Sequence, residues 1–291
     1  MKHILVTGAN GQLGTSLKVS STRFDQFTYS FVDIHDIDLT NESQADSFFR
    51  HTKINYIINC AAFTAVDQAE KQHGPAFKVN AGIPKLLGRI CRENKVYLIH
   101  LSTDYVYHGK SYFPHHEDEK PDAESVYAQS KLQGEMSLWN NPNAIIIRTS
   151  WLYSEYGNNF LRNMIRLATE KQELEVVFDQ TGTPTYAGDL AESLLKIIQF
   201  SENFGFKAGI YNYSNEGLCS WYDFAVEIMQ LTRMNCKVKP IRTHEYPLPA
   251  KRPEYSVMDK SKIKNTFGLI IPHWKQSLSV AINNLEKNKE I

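Results

Sequence analysis

Tyr127 and Lys131 stand four positions apart in Tyr127-Ala128-Gln129-Ser130-Lys131, a spacing that sets both on one face of a helix with Cβ atoms about 5–6 Å apart. A phenol with an ordinary pKa of about 10 is a poor proton relay at neutral pH. A cation beside it favours the phenolate and draws that value toward the working range. The same pattern also arises as a solvated surface pair, so its meaning depends on its neighbours. One neighbour is Leu101-Ser102-Thr103-Asp104, directly after an apolar run. A hydroxyl there, Thr103 or Ser102, can bond the carbonyl oxygen that Tyr127 would protonate; a strand-end turn with a capping hydroxyl is the alternative.

A second constellation opens the chain. Gly8-Ala9-Asn10-Gly11-Gln12-Leu13-Gly14 follows the first apolar run and enters a helix. Glycines at such a turn let the backbone approach a pyrophosphate, whose charge is met by free N–H groups at the helix start. They can equally serve chain geometry alone. Asp33 ends the next apolar run, where a carboxylate can accept from adenosine ribose hydroxyls and would repel a 2′-phosphate, favouring NADH over NADPH. Asp38-Leu39 could reach an adenine edge, or could belong to an ordinary helix entry capped by Thr40 or Asn41.

These groups need a frame that brings them together. Apolar runs at 3–7, 28–32, 56–60, 97–102 and 144–148 alternate with helix-length amphipathic segments at about 12–20, 42–51, 75–93 and 126–139. Strands buried on both faces and joined by crossover helices give this rhythm, so a doubly wound parallel α/β sheet is expected. Runs at 174–178 and 209–213 flank a helix at 187–200 and suggest that the sheet resumes. Helical stretches at 160–169, 221–234 and 275–286 fall among loops rich in proline and aromatics, and read as a smaller lobe over the sheet's carboxyl edge. The expected division is 1–149 with 174–214 for the dinucleotide-binding domain, and 150–173 with 215–291 for a substrate-binding lobe, its tail from 286 frayed.

Composition narrows the partners. Lys plus Arg and Asp plus Glu number 32 each, so no global field draws in nucleic acid or an anionic membrane. The apolar start is too short for a signal peptide and nothing approaches the roughly 18 apolar residues of a membrane span. A soluble, cytoplasmic protein is expected. The four cysteines form no C-x-x-C pair and read as reduced thiols. His115-His116 lies in an acidic stretch between Pro114 and Pro121, read as an exposed loop, and no metal site is expected.

Taken together, the Gly8/Gly11/Gly14 turn, Thr103 and Tyr127/Lys131 resemble the extended short-chain dehydrogenase/reductases, a Rossmann-type family. Within it the chain is most similar to the dTDP-4-dehydrorhamnose reductases, through Asn59-Cys60-Ala61-Ala62-Phe63-Thr64, Ser102-Thr103-Asp104-Tyr105, Arg148-Thr149-Ser150-Trp151, Asp179-Gln180-Thr181-Gly182 and Lys251-Arg252-Pro253-Glu254. The resemblance implies hydride transfer from NADPH or NADH to the C4 ketone of a nucleotide-activated deoxysugar. It makes Thr103, Tyr127 and Lys131 the catalytic set, with Lys131 also on the nicotinamide ribose. Gly11-Gln12-Leu13 and Ala62-Phe63-Thr64 would line the cofactor, and Asp104 and Trp151 would face the sugar. Trp151 taken alone reads as core. Arg252 would hold the diphosphate by its planar fork, or form a salt bridge. Some relatives form a dimer bridged by a glutamate-held divalent metal. Gly14-Thr15-Ser16-Leu17 offers no carboxylate for one, which leaves a homodimer open. Within the enzyme class an epimerase or a reductase giving the other C4 epimer stays open. So does a non-catalytic regulatory subunit on the same fold.

Overall fold

The computed structural model describes residues 1–288. The chain runs β1 (Lys2–Thr7), α1 (Gln12–Ser20), β2 (Phe27–Val32), α2 (Glu42–His51), β3 (Tyr56–Asn59), α3 (Val66–Ala69), α4 (His73–Phe77), α5 (Ile83–Asn94) and β4 (Tyr97–Thr103). It continues through α6 (Val126–Met136), β5 (Ala144–Thr149), β6 (Leu152–Tyr153), α7 (Phe160–Glu170), β7 (Glu173–Val177), β8 (Thr181–Gly182), β9 (Thr185–Tyr186), α8 (Ala187–Phe204) and β10 (Gly209–Tyr213). It closes with β11 (Cys219–Ser220), α9 (Trp221–Thr232), β12 (Lys237–Ile241), α10 (Ser261–Phe267) and α11 (Trp274–Lys287).

Six strands form one sheet in the order β10-β5-β4-β3-β1-β2, and every pairing within it is parallel. The doubly wound sheet expected from the alternating apolar runs is present. Its strands carry Ile4, Ile58, Ile99 and Ile147 toward α1 and α8 on one face. On the other face Leu5, Ile57, Leu98 and Ile146 meet α2 and α5. The chain winds outward from β1 to β2, then crosses back to β3, so the topological switch lies between β1 and β3, where open α/β sheets bind ligands beyond the strands' carboxyl ends.

The expected continuation through 174–178 is half right. β10 does extend the sheet beside β5, but β7 pairs with β12 in a separate parallel pair. Leu174 and Val176 pack with Leu161 and Ile165 of α7, Phe224 and Ile228 of α9, and Leu278 and Ile282 of α11 in a second core. An apolar run announces a strand without announcing its partner. Conversely, Ile263 and Phe267 of α10 pack against α8 in the first core, although they fall within the stretch read as the smaller lobe. Glu286 and Lys287 of the tail still belong to α11, whereas 289–291 lie outside the described residues. Among the described residues no helix is long and apolar enough to cross a membrane.

Candidate active site

Glycine geometry at the first turn is imposed by close backbone approach. Gly8 sits at φ +64, and a Cβ there would stand 2.7 Å from the Ala61 nitrogen. A Cβ on Gly14 would meet the Gly8 carbonyl oxygen at 2.4 Å. Gly11 is the N-cap of α1 and no side chain caps that helix, so its first-turn N–H groups remain available to an anion. Asp33 fastens the turn to the end of β2: one carboxylate oxygen accepts from Asn10 N–H at 2.8 Å and the other from Ile34 N–H at 2.8 Å.

A cavity of about 800 Å³ opens from this turn. Its wall includes Gly8, Gly11, Gln12, Leu13, Gly14, Asp33 and Leu39, then Ala62 and Thr64, then Thr103, Asp104, Tyr127, Lys131 and Trp151. The dinucleotide turn and the expected catalytic residues therefore share one space. An uncapped helix start facing a cradle that a Cβ would fill is what a pyrophosphate requires, and the residues present fit a dinucleotide.

At the catalytic end, Thr103 terminates β4 and its hydroxyl accepts from Tyr105 N–H at 3.2 Å. Ser125 caps α6 by accepting from Ala128 N–H, which aims the first turn of that helix, and with it Tyr127, at the strand end. The Thr103 hydroxyl faces the Tyr127 phenol. Tyr105 packs edge-on against the same ring, centroids 5.6 Å apart. Lys131 is buried and its Nζ donates to the Leu101 carbonyl at 2.6 Å.

The electrostatics differ from the expectation at one point. Burial pushes the Tyr127 phenol up to about 12, only partly offset by the hydrogen bond to Thr103, rather than down under the influence of Lys131. Loss of water from around the ring outweighs a cation already bonded to a backbone carbonyl. Burial also brings Lys131 down to about 8, against the pull of Glu135. Asp104, fully buried, is raised to about 7 by burial. Its Oδ1 accepts from the Thr103 hydroxyl at 3.1 Å.

Three expected residues are placed elsewhere. Asp38 is absent from the cavity wall; its Oδ1 accepts from the Thr40 N–H and hydroxyl at 2.9 and 2.6 Å, and Asn41 caps α2. The helix entry that was one of its two readings is present, with Asn41 as cap. Phe63 points into a small apolar cluster with Ala69, Ala76 and Val126. Its N–H and C=O are bonded by the Asn80 side chain at 2.8 and 3.0 Å. Arg252 is off the wall and grips Asp67 with two bonds of 2.7 and 2.6 Å. That guanidinium holds the Asp67 carboxyl below its ordinary value.

Other features were not anticipated. Trp151 adopts φ +46, a left-handed conformation unusual for a bulky residue. Its indole stacks on Trp221, at the start of α9, with ring centroids 3.6 Å apart. Gly182 lies beneath it, where a Cβ would stand 2.7 Å from the indole. Gln12 joins the two ends of the site, since its Oε1 accepts from the Ser154 hydroxyl at 3.1 Å. Asn80 lies in a π-turn, Lys78–Gly82, between α4 and α5. Beyond its bonds to Phe63 it donates to the Ser130 hydroxyl at 3.0 Å. A Cβ on Gly134 would meet the Asn80 carbonyl oxygen at 2.2 Å, so α6 is seated directly on that turn.

Known proteins are similar to this chain along nearly its whole length. The model of the RmlD substrate binding domain matches residues 1–287. A dTDP-4-dehydrorhamnose reductase from Aggregatibacter actinomycetemcomitans is 39% identical over 287 residues, covering 96% of this chain and 97% of its own. The crystal structure of a dTDP-4-dehydrorhamnose reductase from Clostridium acetobutylicum is 42% identical, with a TM-score of 0.92 over 98% of this chain and 99% of that one. A dTDP-4-dehydrorhamnose reductase from Bacillus anthracis in complex with NADP is 35% identical, with a TM-score of 0.91 over the same shares. With a family match along nearly its full length and relatives this similar end to end, the chain belongs to the RmlD substrate binding domain family.

Proposed function

We propose that this protein reduces the C4 ketone of dTDP-4-dehydro-6-deoxy-L-mannose to give dTDP-L-rhamnose, with NADPH or NADH as donor. The observation that carries the reading is the convergence of Thr103, Tyr127 and Lys131 on one cavity with the uncapped glycine turn. The relatives named above act as reductases of this sugar, and one of them was solved with NADP.

A bound nicotinamide supplies the hydride. Around it the chain's own groups do the rest. The Gly8–Gly14 turn and the start of α1 hold the pyrophosphate. Asp33 accepts from the adenosine ribose. The Thr103 hydroxyl turns its proton from Asp104 to the ketone oxygen and fixes its direction. Tyr127, neutral at physiological pH because burial holds its proton, delivers that proton to the oxygen as negative charge grows there. Lys131 orients the ribose and offers positive charge behind the phenol. Trp151 and Trp221 give the sugar a flat apolar wall, and Asp104 accepts from a sugar hydroxyl. The lobe that carries α7, α9 and α11 acts as the substrate-binding half.

The test is to supply dTDP-4-keto-6-deoxy-L-hexulose with NADPH or NADH, follow loss of reduced-nicotinamide absorbance, and identify the product by NMR. Formation of the rhamnose sugar supports the reading; no consumption of either donor, or net turnover without redox change, defeats it. If Asp33 sets the donor preference, NADH shows the lower KM, and Asp33→Ala narrows the gap.

A further inference from the structure

The acidic stretch between Pro114 and Pro121 was read from sequence as an exposed loop, but His115 is fully buried. Its ring lies flat on Tyr107, centroids 4.7 Å apart and planes within 7°. Its backbone is tied to the smaller lobe's segment at 255–259: His115 N–H donates to Val257 C=O at 2.8 Å and Asp259 N–H donates to His115 C=O at 2.9 Å. Tyr255 N–H donates to Gly109 C=O at 2.9 Å. This double tie brings three ligand-bearing side chains, His108, His115 and Glu119, to one point, with ligand atoms all within 4.8 Å of one another.

We propose that His108, His115 and Glu119 form a binding site for a divalent transition metal of the zinc class. His115 Nδ1 lies 2.7 Å and His108 Nε2 3.9 Å from Glu119 Oε2. A tetrahedral zinc with bonds of about 2.0–2.1 Å separates its ligand atoms by about 3.3 Å, so insertion asks for shifts well under a side chain's reach. Two imidazoles and one carboxylate favour zinc over magnesium or calcium, which prefer all-oxygen sets.

The outer bonds fit a ligand role. In the empty site His115 Nδ1 donates to Glu119 at 2.7 Å, a proton that a metal would displace, while the other nitrogen faces the Tyr255 carbonyl at 3.4 Å and keeps its proton on that side. The second oxygen of Glu119 accepts from His116 N–H at 2.8 Å. A second local exchange falls on His108. His108 Nδ1 accepts from Lys110 N–H at 3.0 Å and must give up that bond to carry a proton while Nε2 binds metal. The intervening Gly109, at φ +70, supplies the backbone freedom. A bound ion would fasten the 108–119 loop to itself, and the backbone bonds of His115 and Gly109 already join that loop to the 255–259 segment.

The experiment uses tag-free, metal-stripped full-length protein titrated with Co2+ and with Zn2+, read by visible absorbance, calorimetry and melting temperature. His108 is 39% exposed, so His108→Gln is expected to fold normally; His73→Gln serves as a control on an exposed histidine. The expected result is one ion per chain, an intense four-coordinate Co2+ spectrum displaced by Zn2+ but not by Mg2+, and a melting temperature raised by Zn2+. Affinity should fall at least about tenfold in His108→Gln and in Glu119→Gln and stay unchanged in His73→Gln. Zinc binding equally tight in His108→Gln, a six-coordinate Co2+ spectrum, or no stoichiometric uptake by the wild type would overturn the proposal. None of these outcomes bears on ketone reduction.

Discussion

Trp151 and Trp221 lie face to face, ring planes within 9° of each other, and both line the cavity at the end farthest along the chain from the glycine turn. Trp221→Ala removes the ring stacked on a residue held at φ +46 and, on the proposed function, one apolar wall of the sugar site. Loss of such an aromatic pair costs about 0.5–1.5 kcal/mol beyond its area. The expected outcome is a roughly tenfold rise in KM for the nucleotide sugar, with the cofactor KM unchanged. An equal rise in both constants would place the pair beside the nicotinamide instead.

Tyr127→Phe should lower kcat by about 10²–10⁴-fold, the usual contribution of a positioned acid, while cofactor affinity measured by fluorescence stays near wild type. Because the phenol titrates near 12 and Lys131 near 8, a decline in rate on the alkaline side should follow Lys131. A wild-type rate that needs an ionised tyrosine, rising up to pH 10, would contradict the donor role.

Asp104 gives stability a pH dependence of definite sign. Its folded value of about 7 lies above the ordinary 3.8, so between those values the folded state holds a proton that the unfolded state has lost. Stability contributed by the neutral acid is therefore complete below about pH 4 and is lost as pH rises through 7, with a slope approaching about 1.4 kcal/mol per pH unit. Lys131 acts oppositely: lowered from 10.5 to about 8, it makes stability rise between those values. Denaturant melts of Asp104→Asn should show a flatter profile from pH 4 to 7 than wild type; parallel profiles would refute the assignment.

The two inner glycines should separate fold from binding. A methyl on Gly14 collides with the Gly8 carbonyl and Ala9 Cα, whereas one on Gly11 meets only the Gly8 carbonyl oxygen, at 3.3 Å. Gly14→Ala is expected to destabilise the protein by about 1–3 kcal/mol, the usual cost of overpacking. Gly11→Ala should keep its melting temperature yet bind dinucleotide more weakly, because the added methyl sits at the helix start that faces the pyrophosphate. Equal melting temperatures for the two variants would count against this division.

Behind Lys131, Glu135 holds Arg148 through bonds of 3.1 and 2.7 Å, and both side chains are buried. Glu135→Leu leaves the guanidinium without its partner and should cost about 3–5 kcal/mol, much of it recovered on adding Arg148→Met. Equilibrium unfolding of the single and double variants measures this directly.

Local spacing made much of the site legible. The glycine turn, Asp33, Thr103 and the Tyr127/Lys131 pair are set by short-range rules: a strand end, a helix start, one helical turn. Asp38 and Arg252 each carried two readings from sequence, and each is seen with a partner of its own, Thr40 two residues on and Asp67 far upstream. Trp221 and Asn80 escaped notice because their parts in the site arise only when segments distant in sequence meet. His115 was hidden by its neighbourhood: acidic and proline-flanked residues suggest exposure, yet the segment is sewn to 255–259 by backbone bonds that no pattern of side chains encodes.

The π-turn at Lys78–Gly82 makes the aim of α6 depend on the number of residues in a neighbouring helix. Removing a single residue there would restore regular winding and rotate Asn80 by about a quarter-turn or more relative to the following helix. Phe63 would lose its clasp and Ser130 its donor, and the seat for Gly134 would move. Length in that stretch is therefore as much a determinant of where Tyr127 points as any side chain touching it.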